Sequence, residues 1–197
     1  MLPDHLKKKR YILASGSPRR QFLLKELGFD FSVVVRNVEE DYPPQLKAEE
    51  IALFLCELKS NAFHDEELGP DDVLITADTI VWHQGQLLGK PEHVEDAERI
   101  LQLLSGSMHE VFTGICLRTA TRRYCFYDRS EVYFKEISTA QIQAYIEHCQ
   151  PYDKAGAYGV QEWIGYVAVE KIVGSFFNVM GFPTHRFYEE LEKFLTD

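Results

Sequence analysis

The stretch that most constrains the fold is Val73-Leu74-Ile75-Thr76-Ala77-Asp78-Thr79-Ile80-Val81-Trp82. It is apolar almost without interruption and rich in β-branched residues, the pattern of a central strand covered on both faces. A strand buried on both faces needs helices above and below it, which directs the chain towards an α/β architecture. One acid, Asp78, breaks the run. A carboxylate there carries a desolvation cost unless it is paired, protonated or metal-bound. Two readings stay open on the residues alone. Asp78 is either an acid held by neighbouring hydrogen bonds or sitting at the wet end of the strand, or a metal ligand or general base.

The remaining patterns agree with that architecture. Residues 11–14 read as a strand. Residues 18–27 read as a helix with Phe22, Leu23 and Leu27 on one face and Gly28 at its C-terminal stop. Phe31 to Val35 reads as a second strand. A helix over 48–63 keeps Ile51, Leu55, Leu58 and Ala62 in register, and another over 94–104 keeps Ala97, Ile100, Leu101 and Leu104 on one side. Residues 108–118 and 124–136 are strand-like with a polar link, which predicts an antiparallel hairpin. Ser138-Thr139-Ala140-Gln141 is a capping box opening a helix to about His148. A glycine-rich loop over 152–165, a strand over 166–172, an irregular stretch over 174–183 and a helix over 184–195 complete the chain. Residues 1–10 read as a loose tail. The predicted fold class is α/β, with a mixed central sheet flanked by helices, in a single domain over 1–197.

Composition narrows the function. The formal net charge of −10 argues against broad binding of a nucleic acid polymer. No apolar run approaches the ~20 residues of a membrane span. The basic run Lys7-Lys8-Lys9-Arg10 is followed by too short an apolar segment for a signal peptide, which makes the cytoplasm the expected location. Cysteines at 56, 116, 125 and 149 form no CxxC pair and read as free thiols, and the histidines show no HExxH spacing, so no zinc site is expected.

Four further segments bear candidate chemistry. Ser15-Gly16-Ser17-Pro18-Arg19-Arg20 is a turn entering a helix, with Ser17 suited to the N-cap and Pro18 to the first helical position. Helix starts attract anions, and two arginines where the helix dipole prefers acids form a local conflict. It is either an anion site or a turn with two solvated arginines. Glu39-Glu40-Asp41 is a loop acid cluster, either solvated or supplying one carboxylate to a Mg²⁺ site shared with Asp78. Lys59 and Lys90 are phosphate ligands or surface lysines. Asp153 to Gln161 is either a surface loop or a base-reading segment, since the Gln161 amide offers both a donor and an acceptor.

Taken together these pieces resemble the Maf family of nucleoside triphosphate pyrophosphatases, related in fold to the inosine triphosphatases. The resemblance rests on Ala14 to Arg20, Ala77-Asp78-Thr79, Gly89-Lys90-Pro91, Leu104-Ser105-Gly106 with His109 and Thr113, Asp153 to Gln161, and Asn178 to Pro183, all in family order. It implies two lobes around a cleft and hydrolysis of a nucleoside triphosphate to the monophosphate and pyrophosphate. By carry-over, Asp78 is the catalytic carboxylate and shares a divalent metal, Mg²⁺ or alternatively Mn²⁺ or Co²⁺, with Glu40. Lys59 and Lys90 match phosphate-binding lysines, and Arg19, Thr79 and Gln161 match the positions that set base choice; Arg20 is expected to help neutralise the phosphates, and Ser15 and Ser17 to bind substrate. The Asp-Thr pair with a later glutamine resembles the branch acting on dTTP and UTP, with the 7-methyl-GTP branch second. A homodimer is implied. The family's association with septum formation gives the competing reading, a nucleotide-binding regulator without turnover. Glu162-Trp163-Ile164 is bulkier than the segment many members show after the glutamine.

Overall fold

A computed structural model describes residues 2–196. The elements run α1 (Asp4–Lys7), β1 (Arg10–Leu13), α2 (Pro18–Glu26), β2 (Phe31–Val33), α3 (Glu49–Asn61), β3 (Asp72–His83), β4 (Gln86–Leu88), α4 (Val94–Leu104), β5 (Met108–Arg118), β6 (Arg123–Phe134), α5 (Thr139–Cys149), α6 (Trp163–Ala168), β7 (Val169–Val173), α7 (Phe176–Val179) and α8 (Thr184–Thr196). The strands form one seven-stranded sheet in the order β2-β1-β3-β5-β6-β7, with β4 paired to β3. It is mixed: β1 lies parallel to β2 and β3, whereas β3–β4 and β6–β7 are antiparallel. Parallel neighbours need a crossover, and the helices between these strands supply it. The predicted α/β class with a helix-flanked mixed sheet is therefore observed.

The chain divides into two compact units. The first comprises 1–78, 113–128 and 181–197, and the second 79–112 and 129–180. In the first unit Tyr11, Phe29, Phe182 and Phe187 meet through ring contacts of 4.7–5.6 Å, around which Leu13, Leu24 and Ile51 are fully buried. In the second, the α4 stripe of Ala97, Ile100, Leu101 and Leu104 is buried as its periodicity predicts, packed with Tyr145 and Tyr158.

The start of α5 follows the sequence closely. Ser138 Oγ accepts from the Gln141 N–H at 3.3 Å, and Gln141 Oε1 accepts from the Ser138 N–H at 2.9 Å. Ser138→Ala should lower stability by about 1 kcal/mol, the usual worth of an N-cap, read as a reduced thermal unfolding midpoint with unchanged circular dichroism.

Other expectations give way. The N-terminal segment is docked: it contains α1, Leu6 is fully buried, and the Tyr11 hydroxyl donates to the Leu6 carbonyl at 2.9 Å. Two apolar residues ahead of the basic run, Leu2 and Leu6, are buried and spaced to anchor one face of a turn. In α2, Phe22 is exposed and Leu24 is buried beside Leu23, so the helix lies rotated from the predicted face. The second strand is shorter than predicted because β2 is an edge strand, with Val33, Val34 and Val35 exposed. Residues 163–168 form a helix where a loop and then a strand are expected, and β7 begins only at Val169. Trp163, Ile164, Tyr166 and Val167 have the composition of a strand. The helical turn depends on Gly165, where an added Cβ would lie 1.8 Å from the Val160 carbonyl oxygen.

Candidate active site

The first unit assembles a charged centre at the middle of β3. Thr76, fully buried, donates from Oγ1 to the Cys56 carbonyl at 2.6 Å and pins α3 against the strand. Asp78 lies two residues further along β3 and so points to the same face. Lys59 lies three residues beyond Cys56 and shares its side of the helix. The two contacts thus align: Lys59 Nζ forms a short ion pair with Asp78 Oδ1. Lys59 also sits in the last turn of α3, where the helix dipole favours a cation. This pairing answers the desolvation problem that Asp78 poses, since the carboxylate is buried at 7% exposure yet charge-compensated.

Glu40 enters from the loop between β2 and α3, and its Oε1 lies 2.9 Å from Lys59 Nζ. Of the acidic run 39–41, it is Glu40 that reaches the centre. Two carboxylates therefore converge on one cationic position. Among the described residues no group of three or more potential metal-ligating side chains occurs. A pair of convergent carboxylates is nevertheless a donor set of the kind Mg²⁺ takes from a protein beside substrate oxygens, so the chemistry of Glu40 and Asp78 fits such an ion.

The opening turn is organised by Arg20. Its guanidinium donates to the Gly181 carbonyl at 2.9 Å, the Ala77 carbonyl at 2.9 Å and Ser15 Oγ at 3.2 Å. Burial draws its pKa below the usual value, while the charges of Asp78 and Glu40 act in the opposite direction. Ser15, buried, also accepts from the Ser17 N–H at 3.3 Å. Ser17 occupies the N-cap and Pro18 the first turn as expected, but the Ser17 side chain makes no capping bond. Arg19 lies half-buried beside them. Sequence reasoning missed Ala77 O and Gly181 O as the acceptors that hold Arg20, and no local signal could reveal partners 57 and 161 residues away.

The second unit carries the other predicted residues, Thr79, Lys90 and Gln161. Thr79 is half-buried on β3 and Lys90 is exposed. The carbonyl of Gly89, next to Lys90, accepts from the Gly156 N–H at 3.1 Å, which ties the Gly-Lys-Pro turn to the glycine-rich segment. Gly156 has φ +71°, and an added Cβ would meet Val81 Cγ2 at 2.8 Å, so glycine is required by both conformation and space. His109 Nε2 pairs with the Tyr158 hydroxyl at 2.7 Å, and burial lowers the imidazole pKa to about 3, so the ring is neutral. Gln161 Oε1 is buried without a hydrogen-bond partner. Trp163 lines a cavity of about 290 Å³ with Tyr145, His148 and Cys149.

This is an α/β protein whose first unit carries two carboxylates on one lysine beside an arginine-braced turn. A family model described as Maf-like protein matches residues 10–194, and the chain belongs to the Maf family. A relative named dTTP/UTP pyrophosphatase from Flavobacterium johnsoniae is 52% identical, covering 97% of this chain and 98% of its own. Relatives of the same name are 48% identical in Bacteroides fragilis strain ATCC 25285, covering 96% and 98%, and 44% identical in Porphyromonas gingivalis, covering 97% and 97%. Among solved structures, the Ham1 protein of Staphylococcus aureus aligns over 64% of this chain and 72% of its own, with a TM-score of 0.44 and 17% identity. No helix among the described residues is long and apolar enough to cross a membrane.

Proposed function

We propose that this chain hydrolyses dTTP and UTP to the nucleoside monophosphate and pyrophosphate. Near-full-length relatives carry that activity in their names, and the observation that bears the chemistry is the convergence of Glu40 and Asp78 on Lys59. Water attacks the α-phosphorus, a new P–O bond forms, and the bond to the bridging oxygen breaks with departure of pyrophosphate. Asp78 orients that water and accepts its proton. Lys59 offers its ammonium to the phosphate oxygens, and Lys90 adds a second cation. Arg20 braces the turn against β3 while its charge contributes to the local field. Ser15 and Ser17 line that turn. Arg19, Thr79 and Gln161 carry base choice by the family resemblance.

Glu40 and Asp78 would hold a divalent cation. When bound, such an ion neutralises phosphate charge and acts as a Lewis acid. A homodimer and a cytoplasmic location belong to the same reading.

A nucleotide panel assayed for products tests the proposal. Pyrophosphate from dTTP and UTP, abolished by EDTA and restored by Mg²⁺, Mn²⁺ or Co²⁺, is the expected result. Release of orthophosphate, preference for 7-methyl-GTP, or binding without turnover would each overturn it.

A further inference from the structure

The segment after Gly159 is held by a partly buried polar network centred on Glu162. Lys154, with a side chain 8% exposed, pairs through Nζ with Glu162 Oε1 at 3.1 Å and donates to Asp153 Oδ1 at 2.7 Å. The Tyr145 hydroxyl donates to Glu162 Oε2 at 2.5 Å and accepts from the Gly159 N–H at 3.1 Å. Tyr145 itself is fully buried on α5. The backbone closes on the same point, with Glu162 N–H donating to the Gly159 carbonyl at 3.0 Å and Gly165 N–H to the Glu162 carbonyl at 2.9 Å.

Gly159 lies in close contact with this carboxylate. A Cβ there would lie 2.7 Å from Glu162 Cδ, so any other residue would displace the side chain. The network spans α5, Lys154, the 159–162 turn and the start of α6, and Gln161 is a residue of that turn. The Gln161 backbone carbonyl accepts from the Tyr166 hydroxyl at 2.9 Å, a further hold on the main chain of the turn. Gln161 Oε1 is a buried acceptor with no donor. Buried acceptors in folded proteins almost always have partners, so this one is suited to a donor brought by a ligand. Thymine and uracil present an imide N3–H, whereas cytosine has an acceptor at that position.

We propose that Glu162, clamped by Lys154 and Tyr145, is a positioning residue that holds the Gln161 carboxamide for recognition of the imide edge of thymine or uracil. The inference rests on the assignment of base choice to Gln161 and adds the device that aims it. A carboxamide on a turn that wanders by an ångström cannot select between bases, because selectivity of this kind depends on a fixed, desolvated acceptor left unpaired by the wrong substrate.

Steady-state kcat and KM with dTTP, UTP and CTP, measured beside the thermal unfolding midpoint, test it. Gln161→Ala should reduce the preference for dTTP over CTP by about tenfold or more. Glu162→Ala should produce a comparable loss, chiefly through a raised KM for dTTP. Glu162→Gln keeps an oxygen acceptor of the same reach and should recover most of the preference. Tyr145→Phe, which deletes one hydroxyl, is the milder variant should Glu162→Ala fail to fold, and it should lower the preference several-fold. If Glu162→Ala or Tyr145→Phe lowers the unfolding midpoint but leaves the dTTP-to-CTP ratio intact while Gln161→Ala abolishes it, Glu162 is structural only and the inference falls. If Gln161→Ala itself leaves the ratio intact, the assignment of base choice to Gln161 falls instead.

Discussion

Asp78→Asn should leave the protein folded and lower turnover of dTTP and UTP by about 10²–10⁴-fold, the scale on which a general base acts. The substitution is isosteric, so β3 keeps its packing and the Thr76–Cys56 hydrogen bond that registers α3 against it is untouched. What disappears is the negative charge. The neutral amide does not accept a proton from water, and Lys59 retains Glu40 as its anionic partner. The loss should therefore fall on kcat more than on KM. Circular dichroism and thermal melting establish that the fold survives, and pyrophosphate release gives the rate. Near-normal turnover in a folded variant would remove Asp78 from the chemistry and leave it a structural partner of Lys59.

Gly114→Ala should destabilise the protein by about 3 kcal/mol, among the larger effects a single added methyl group produces. Gly114 lies on β5, directly against α3. A Cβ there would stand 2.3 Å from the Ala52 carbonyl oxygen and 2.6 Å from its carbonyl carbon. These are backbone atoms, so no side-chain rotation relieves the clash and α3 must move as a body. At this chain length the unfolding midpoint should fall by roughly 6–12 °C. The displacement also reaches the site, because Lys59 rides on the same helix two turns further on. Turnover should fall with stability, and substrate should not restore it fully. An unchanged midpoint would contradict the close approach of β5 to α3.

Much of this was legible from the residues. The apolar run 73–82 and the α4 stripe are long, strongly periodic signals, and both elements appear where the patterns put them. The Ser138 capping box is local chemistry complete within four residues, and it forms as written. Gly28 ends α2 with φ +87° for the same reason. The failures have a common cause. Leu2 and Leu6 hide in a polar sequence, Phe22 and Leu24 exchange roles on α2, and 163–168 carries strand-like residues in a helix. In each case packing in the folded chain overrides the local preference, and propensity holds no information about that packing.

The candidate site divides along the same line. Asp78 announces itself because a lone carboxylate in an apolar strand is costly wherever the strand ends up, and the pattern of cations and small residues around 14–20 needs no structure to be noticed. Which partner compensates Asp78 is a different matter. That Lys59 takes this role, that Glu40 joins it ahead of Glu39 and Asp41, and that Arg20 turns to Ala77 and Gly181 all follow from the register of α3 on β3 and from chain closure. Residue types and short-range periodicity are written in the chain because they act over a few bonds. Pairings across 19, 57 and 161 residues exist only once burial has packed a helix against a strand at one register, and that choice belongs to the folded molecule.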